Sequence, residues 1–323
     1  MPDIDTEKDN SLTLEPLSFI LPISARPERL DKVLAQLLPE HSRSRLQNWV
    51  ADGHVLVNEQ VVRTRHIVAP GDKIQVWVQV APEDQAYEAD DVAFEVLAES
   101  PDWLVVNKPV GVVTHPGAGN WRNTLLNGLL FRYPELRHVP RAGIVHRLDK
   151  DTSGLLVVAR NEIAQTHFVR QLQERSMGRQ YRALVHGCLS GAGQIDAAIG
   201  RDARVPVRMS CDHSIAPKTA LTHYKVLQQG YSEQGQPVTE VMCRLETGRT
   251  HQIRVHMASI GHPLLGDVLY GGRISEQAPR QMLHAFELSF MDPSSQQICA
   301  FTASLAEDYL ACQESVVWNQ QSQ

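Results

Sequence analysis

The segment GIVHRLDKDTSGLLVVAR, residues 143–160, places a polar loop with a carboxylate between two strand-like apolar runs, 144–145 and 155–159. Asp149 could serve as a turn residue or a helix N-cap. Its neighbours at 151–153 can form a turn by themselves, so the turn does not require Asp149. Rigid strands beside a polar loop commonly position reactive groups. We therefore interpret Asp149 as a candidate catalytic carboxylate.

Length and composition indicate a globular protein of two domains. The chain has 323 residues, of which 42% are hydrophobic and 21% charged, and most single domains are shorter. We find no signal peptide and no run approaching the roughly 18 apolar residues of a membrane span. The five cysteines are scattered and never form a Cys-x-x-Cys pair, which argues against a disulfide framework or a zinc knuckle. We expect a soluble protein of the reducing cytosol.

Charge is distributed unevenly along the chain. The net charge is −6, but residues 1–16 contribute −4 and residues 79–102 contribute −8, which leaves +6 on the rest. Because phosphates require basic surface, the acidic mean alone would argue against a nucleic-acid partner. The basic remainder permits a polyanionic partner without requiring one.

Regular patterns in residues 17–80 predict a small α/β module. Apolar residues recur at the helical interval over 30–38. A second short helix follows, with Ser42 as its N-cap. Short strands are predicted on both sides of residues 58–59 and again in GDKIQVWV.

Three arginines of this module, Arg29, Arg43 and Arg45, are candidate RNA contacts. Arg43 and Arg45 lie in the first turn of the second predicted helix, where the helix dipole disfavours positive charge. A phosphate of RNA would offset that cost. The alternative is a helix end exposed only to solvent.

The second domain is predicted to be α+β, with a mostly antiparallel mixed β-sheet and flanking helices. Strand candidates include DWLVVNKP, GLLVVAR, QYRALVHG, TALTHYKVL, VTEVMCRLE and ELSFMD, and NEIAQTHFVRQLQERS is the clearest helix. Most connections are too short for repeated βαβ crossovers. The predicted boundaries are a disordered acidic tail at 1–16, the first module at 17–80, an extended acidic linker at 81–92, the second domain at 93–316 and a C-terminal tail at 317–323.

A second polar segment, RLETGRTHQIRVHMASIGHP at 244–263, places cations among apolar residues. Buried cations require partners, and Asp149 is the obvious partner within the chain for Arg254. A guanidinium beside the carboxylate would keep it ionised, as a nucleophile or a base requires. The alternative is a salt bridge with a structural role alone.

Neither a metal nor a nucleotide cofactor is predicted. His251 and His256 are five residues apart, not the four that places two histidines on one helix face, and there is no His-Glu-x-x-His motif. We interpret them, with His262, as RNA-facing or core histidines. The glycines of NKPVGVVTHPGAGN, at 107–120, match neither a dinucleotide-binding nor a Walker pattern.

Four motifs together carry a resemblance to a known family. Tyr181, in GRQYRALV, would be a core residue by default, or it could stack on an extruded base. NKPVGVVTHPG, HRLDKDTSG, GRQYRALV and LETGRTHQIRVH resemble, in the right order, the motifs of the pseudouridine synthases of the RluA/RluD branch. RLDKVLAQLLPEHSRSRLQNWVADGHVLVNEQ resembles the RNA-binding module of the ribosomal protein S4 family. One departure is Arg179, where many members have lysine.

The resemblance implies the pseudouridine synthase fold and conversion of uridine to pseudouridine in 23S ribosomal RNA, in the helix 69 stem-loop, by a monomer without cofactor or metal. It makes Asp149 the nucleophile or base, pairs Arg254 with it and packs Tyr181 on the base. Arg147 would fill the space that the flipped uridine leaves in the RNA stack, and Ile253 would line the pocket. Further RNA contacts are expected at Lys108, His115, His146, Arg249 and His251.

Two readings from other classes stay open on the sequence. The first is a ribosome assembly factor that binds RNA without catalysis, and the second is a metal-dependent hydrolase built on the histidines. An assembly factor has no use for Asp149, and a hydrolase would depend on its metal.

Overall fold

The computed structural model describes residues 15–79, 86–117 and 119–319, in two compact units, Met1–Ala81 and Pro82–Gln323. Each unit has its own hydrophobic core. Most of the predicted acidic tail, the first part of the predicted linker and the last four residues of the predicted C-terminal tail lie outside the described residues.

The first unit combines two helices with short antiparallel strands. Its helices are α1, Leu30–Leu37, and α2, Arg43–Ala51, and its strands are β1, Leu17–Ile20; β2, Glu28–Arg29; β3, Val55–Val57; β4, Gln60–Val61; β5, Ile67–Val68; and β6, Lys73–Val76. The strand order is β1-β6-β3-β4, and β2 pairs with β5. As predicted, Ser42 caps α2, because its Oγ accepts a hydrogen bond from the Arg45 N–H at 3.3 Å. Asn58 and Glu59 both have positive φ, which suits the tight turn between β3 and β4.

The second unit is built on a ten-stranded sheet. Its strands are β7, Glu95–Glu99; β8, Trp103–Lys108; β9, Ser153–Ala159; β10, Gly178–His186; β11, Ala192–Asp196; β12, Ile199–Asp202; β13, Met209–Ser210; β14, Ser214–Lys218; β15, Leu221–Tyr231; β16, Pro237–Leu245; β17, Leu283–Met291; β18, Ile298–Thr302; and β19, Val317–Trp318. Its helices are α3, Leu125–Arg132; α4, Glu162–Gln173; α5, Gln252–Ser259; and α6, Glu307–Glu314. Short 3-10 helices lie at Pro134–His138, Pro140–Gly143 and Val268–Tyr270.

The large sheet has the order β11-β15-β16-β10-β17-β9-β8-β7, with β18 beside β17 and β19 beside β15. Among the described strands, β9 and β17 form a parallel pair and the other pairs are antiparallel. Strands β12, β13 and β14 form a separate small sheet. The predicted α+β class, with a mostly antiparallel mixed sheet, is confirmed.

The strands before and after the Asp149 loop are packed on both faces. Alternate residues of β8 belong to two clusters, since Leu104 packs with the leucines of α3 and Trp103 packs with Phe168 of α4. All seven residues of β9 are buried, which explains its continuous apolar run in place of an alternating one. The other strand predicted there, at 144–145, contributes only one isolated bridge, from Ile144 to Val158.

Two segments are more ordered than the predicted boundaries allow. Residues 86–92 were predicted to be extended linker, but Asn127 Nδ2 donates to two of their carbonyl groups and Arg122 forms an ion pair with Asp90. These bonds offset the like-charge repulsion on which the prediction depended. Val317–Trp318 were predicted to be tail, but they pair with β15.

Candidate active site

Asp149 lies in the loop that enters β9, and other elements hold the backbone on both sides of it. Thr114 Oγ1 donates to the carbonyl of the preceding residue, Leu148, at 2.7 Å. Lys108 Nζ donates to the carbonyl of the following residue at 2.9 Å, and Arg280 Nη1 donates to the carbonyl after that, also at 2.9 Å. Because the backbone is fixed in this way, the carboxylate points in a defined direction.

The predicted ion pair between Asp149 and Arg254 is present. Arg254 Nη1 donates to Asp149 Oδ2 at 2.9 Å. Asp267 binds the same guanidinium, at 2.6 Å from Nε and 2.9 Å from Nη2. Burial alone would lower the pKa of Arg254, but the two carboxylates raise it above its usual range. The Tyr270 ring forms a cation–π contact with Arg254, with the ring centroid 5.1 Å from the guanidinium carbon.

Asp149 faces a cavity of about 1000 Å³, which is large enough for a drug-sized ligand. Its side chain is 19% exposed, whereas that of Arg254 is 8% exposed. The carboxylate can therefore meet a ligand while its cationic partner stays covered. The predicted site residues that line this cavity are His115, His146, Arg147, Asp149, Tyr181, Arg249, His251, Ile253 and Arg254.

Tyr181 and Ile253 form part of the apolar wall of the cavity. Tyr181 on β10 and Ile253 on α5 are 6% and 3% exposed and belong to the same hydrophobic cluster. Burial raises the pKa of Tyr181, so the phenol is neutral. An aromatic ring beside a branched aliphatic side chain offers two surfaces for a planar base.

His115 and His146, which line the cavity, are neutral. Burial lowers the pKa of His146 to about 3. Burial, together with Arg141 and Arg147, lowers the pKa of His115 to about 4. His146 Nε2 accepts a hydrogen bond from the Val157 N–H at 3.3 Å. Both histidines can therefore offer a ligand hydrogen bonds but no positive charge.

Positive charge in the cavity comes from arginines instead. Arg147 is exposed there, and Arg249 is half-buried, with its Nε donating to the Thr219 carbonyl at 3.1 Å. His251 shares a hydrogen bond of 2.8 Å with the Tyr270 hydroxyl, and burial lowers its pKa. His251 thus links the cavity wall to the ring beneath the ion pair.

Lys108 does not line the cavity, contrary to the prediction that it contacts RNA. Its side chain is fully buried, and Nζ donates to the carbonyls of Pro109, Val112 and Lys150 at 2.8, 2.8 and 2.9 Å. These acceptors use all three hydrogens of an ammonium group. Burial also lowers the pKa of Lys108 to about 7. Lys108 supports the Asp149 loop from within the fold.

In the first unit, Arg29 and Arg43 both bind the buried carboxylate of Asp31, an arrangement that neither interpretation of the sequence included. Arg43 Nη2 lies 2.6 Å and Arg29 Nε 3.0 Å from Asp31, and Gln47 donates to it at 2.8 Å. Burial alone would raise the pKa of Asp31, but these donors hold it well below its usual range. The side chain of Arg43 is still 49% exposed and that of Arg29 37% exposed. Arg45 is half-buried on α2.

Three residues that shape the site were missed in the sequence: Asp267, Tyr270 and Arg280. Asp267 is 1% and Arg280 6% exposed, and Arg280 binds Asp308 at 2.6 and 2.7 Å. A signal was present in GDVLYGGR, at 266–273, where a carboxylate and a phenol follow two leucines. The segment that contains Asp149 has the same pattern, in which polar residues follow two apolar ones.

The histidines considered as metal ligands are apart from one another. His251 binds the phenol described above, His256 is bonded to Thr222 at 2.8 Å, and His262 donates to the His186 carbonyl at 2.8 Å. In the part of the chain that the structure describes, no three His, Cys, Asp or Glu side chains gather as metal ligands would. No helix of the described residues has the length and apolar character needed to cross a membrane.

Two family models match the chain. The one described as RNA pseudouridylate synthase matches residues 102–259, and the S4 domain matches residues 28–74. Three relatives share the name ribosomal large subunit pseudouridine synthase D. That of Neisseria meningitidis serogroup B is 43% identical over 90% of this chain and 79% of its own, that of Pseudomonas aeruginosa 43% over 90% and 92%, and that of Xanthomonas campestris pv. campestris 45% over 90% and 89%.

Two solved structures also align with this chain. Human RNA pseudouridylate synthase domain containing 1 aligns with a TM-score of 0.56 and 30% identity, over 75% of this chain and 92% of its own. Human RNA pseudouridylate synthase domain containing 4 aligns with a TM-score of 0.52 and 21% identity, over 68% and 92%. The second likeness concerns the fold alone.

Proposed function

Because this chain belongs to the RNA pseudouridylate synthase family, we propose that it converts uridine to pseudouridine in the RNA of the large ribosomal subunit. The names of the relatives support that choice of RNA. The motif resemblance to synthases of 23S ribosomal RNA supports the helix 69 stem-loop as the target. The protein is proposed to act as a monomer in the cytoplasm, where the ribosomal RNA is found, and to use no metal or cofactor.

The observation that carries this proposal is the Asp149 carboxylate, which faces a nucleotide-sized cavity while Arg254 holds it. In the reaction, the bond from C1′ of the ribose to N1 of uracil breaks, the uracil rotates while trapped, and C5 joins C1′. C5 then loses its proton and N1 gains one. The atoms are conserved and no electrons are exchanged with another molecule, so the site needs a carboxylate, a closed pocket and exclusion of water. The carboxylate lines the cavity, and the buried side chains of Tyr181 and Ile253 are proposed to keep water from the bound base.

Each residue has a role in this scheme. Asp149 either attacks the ribose at C1′ or removes a proton from the sugar, and both routes require a carboxylate in the ionised form. Arg254 Nη1 donates to it at 2.9 Å. Tyr181 and Ile253 hold the uracil between them while it turns. Arg147 fills the gap that the flipped nucleotide leaves in the RNA stack, and Arg249 offers charge to the backbone. The neutral histidines donate or accept hydrogen bonds.

The decisive test maps pseudouridine across ribosomal RNA from cells that lack the protein and from the same cells carrying wild type or Asp149→Asn. Modification should vanish at a few neighbouring uridines, return with wild type and stay absent with the variant. In purified form the variant should lose on the order of 10⁴-fold or more in rate, while it still binds RNA. Pseudouridine formation by Asp149→Asn would remove the proposed role.

Asp151→Asn provides the matched control, because Asp151 lies two residues away and contributes its backbone carbonyl, not its carboxylate, to the Arg280 contact. This variant should restore modification. A protein that acts only as an assembly factor would behave differently, since Asp149→Asn would then rescue ribosome assembly as well as wild type does. Loss of activity on addition of a metal chelator would favour the metal-dependent hydrolase.

A further inference from the structure

Arg179 is a buried cation at the wall of the cavity. It precedes Tyr181 by two residues on β10, so both side chains lie on the same face of the sheet. Arg179 is 5% exposed and lines the cavity together with Asp149 and Tyr181. The absence of a side chain at Gly248 makes room for it, because a Cβ there would lie 2.7 Å from Arg179 Nη1.

Within the described residues, three arginines are buried, and two of them have carboxylate partners. Arg254 binds Asp149 and Asp267, and Arg280 binds Asp308. Arg179 forms no ion pair with any carboxylate of the described residues, and its Nε has no hydrogen-bond partner.

The carboxylate of Glu246, a residue whose backbone Arg179 contacts, is engaged elsewhere. Arg179 Nη2 reaches only the backbone carbonyl of Glu246, at 3.4 Å. The Glu246 carboxylate instead binds Arg175 at 3.0 Å and His223 at 2.6 Å. Within the part of the chain that the structure describes, no carboxylate is therefore paired with the Arg179 guanidinium.

An unpaired buried cation is costly to a fold. Burial lowers the pKa of Arg179, but arginine still carries its charge at neutral pH. A neutral ligand group such as a uracil carbonyl would accept a hydrogen bond without supplying the missing charge. The ligand that fits must bring an anion to this wall, and the anion that RNA brings is phosphate.

We propose that Arg179 binds one of the two backbone phosphates that flank the everted uridine. The inference rests on the proposed function, which supplies the RNA. Asp149 would repel the phosphate from its own side of the cavity, while Arg179 would attract it to the β10 wall. The nucleotide would then lie with its sugar towards Asp149, so Arg179 positions the substrate without entering the reaction.

The test uses the RNA fragment that contains an Asp149-dependent uridine, synthesised with a neutral methylphosphonate in place of each flanking phosphate in turn. For wild type, one of these replacements should weaken binding about 10- to 100-fold, as expected for a charged hydrogen bond. Arg179→Gln should weaken binding of the unmodified fragment by a similar factor. The two changes combined should cost no more than either alone.

Arg175→Gln is the matched control, because Arg175 lines the same cavity but has a carboxylate partner. This variant should retain the full sensitivity to methylphosphonate. The assignment would be overturned if, at each of the two flanking phosphates, the binding loss from Arg179→Gln and the loss from the methylphosphonate multiplied. Equal binding of all three fragments by wild type would overturn it without any variant. If the mapping finds no uridine whose conversion depends on Asp149, the proposed function itself fails.

Discussion

The two carboxylates around Arg254 have different tasks. Asp267 is 1% exposed and takes two of the guanidinium nitrogens, Nε and Nη2. This leaves Nη1 for Asp149, whose side chain is 19% exposed. Asp267 therefore fixes Arg254, and Arg254 in turn fixes Asp149. Asp267, which does not line the cavity that Asp149 faces, thus holds the proposed reactive carboxylate in place through Arg254.

Asp267→Asn should reduce kcat about 100-fold, because a displacement of roughly 1 Å at a reacting group can have that effect. The neutral amide keeps the shape of Asp267 but cannot hold the guanidinium by charge. RNA affinity should change little, since Asp267 is covered. Single-turnover rates and equilibrium binding, measured on the same RNA, separate the two quantities.

Asp292→Asn is a suitable control for Asp267→Asn. Asp292 is also buried, at 9% exposure, and accepts a hydrogen bond of 2.6 Å from Trp103 Nε1, away from the cavity. This variant should lose stability but keep its single-turnover rate. A normal kcat in Asp267→Asn would show that Arg254 keeps its position without Asp267.

At the scale of elements, the parallel pair of β9 and β17 explains the glycine of the HRLDKDTSG motif. Gly154 pairs with Ala285 and has a φ of +111°. A Cβ at Gly154 would lie 2.2 Å from the Ala285 carbonyl oxygen. Gly154→Ala should therefore separate the two strands and destabilise the protein by about 3 kcal/mol or more, from backbone strain and the steric clash together.

Gly235→Ala separates the clash from the strain. Gly235 also has a positive φ, of +72°, but a Cβ there would meet nothing within 4 Å. Its cost should be about 1 kcal/mol. The midpoints of urea unfolding, compared for the two variants and wild type, give the difference. Equal midpoints would show that β17 moves aside at no cost.

The elements that could be predicted are those whose signals are local. The Ser42 cap marks α2, and the apolar run at 155–159 marks β9. The burial of Lys108 had no local signal, because one of its carbonyl partners lies 42 residues away. The same holds for Asp31, whose partner Gln47 is 16 residues away. The local sequence around a charged residue does not show which hydrogen-bond partners the fold will bring to it.

The Asp149–Arg254 pair could be predicted although 105 residues separate its members. Both residues lie in segments where charged residues interrupt an apolar pattern although the local secondary structure does not require them. Opposite charges in two such segments suggest a contact. Asp267 stands in a third such segment. A pairing of Arg254 with Asp149 already gives the guanidinium a partner, so the pattern alone does not indicate that a second carboxylate binds it.

At the scale of the whole molecule, buried histidines should make the fold sensitive to mild acid. His284 is 1% exposed, shares a hydrogen bond of 2.9 Å with Ser153 Oγ and does not line the cavity that Asp149 faces. Burial, with Arg280 and Arg182 nearby, lowers the pKa of His284 to about 4. In an unfolded chain the pKa of histidine is about 6.5.

The direction in which stability changes with pH follows from proton binding. Between pH about 6.5 and about 4 the unfolded chain holds a proton on His284 that the folded protein does not, so stability rises with pH in this window. The contribution is complete above pH about 6.5 and is lost as the pH falls towards about 4. His115 and His146 have lowered pKa values as well and act in the same direction.

His284→Gln should reduce this acid sensitivity, since glutamine can keep the bond to Ser153 and does not titrate. The free energy of unfolding should fall less between pH about 7.5 and about 5 in the variant than in wild type, by about 2 kcal/mol. Urea unfolding at both pH values measures that difference. His138, which is exposed, supplies the control in His138→Gln, which should follow wild type. If His284→Gln follows wild type as well, the folded protein accepts a proton on His284 without cost, and another group causes any loss of stability in acid.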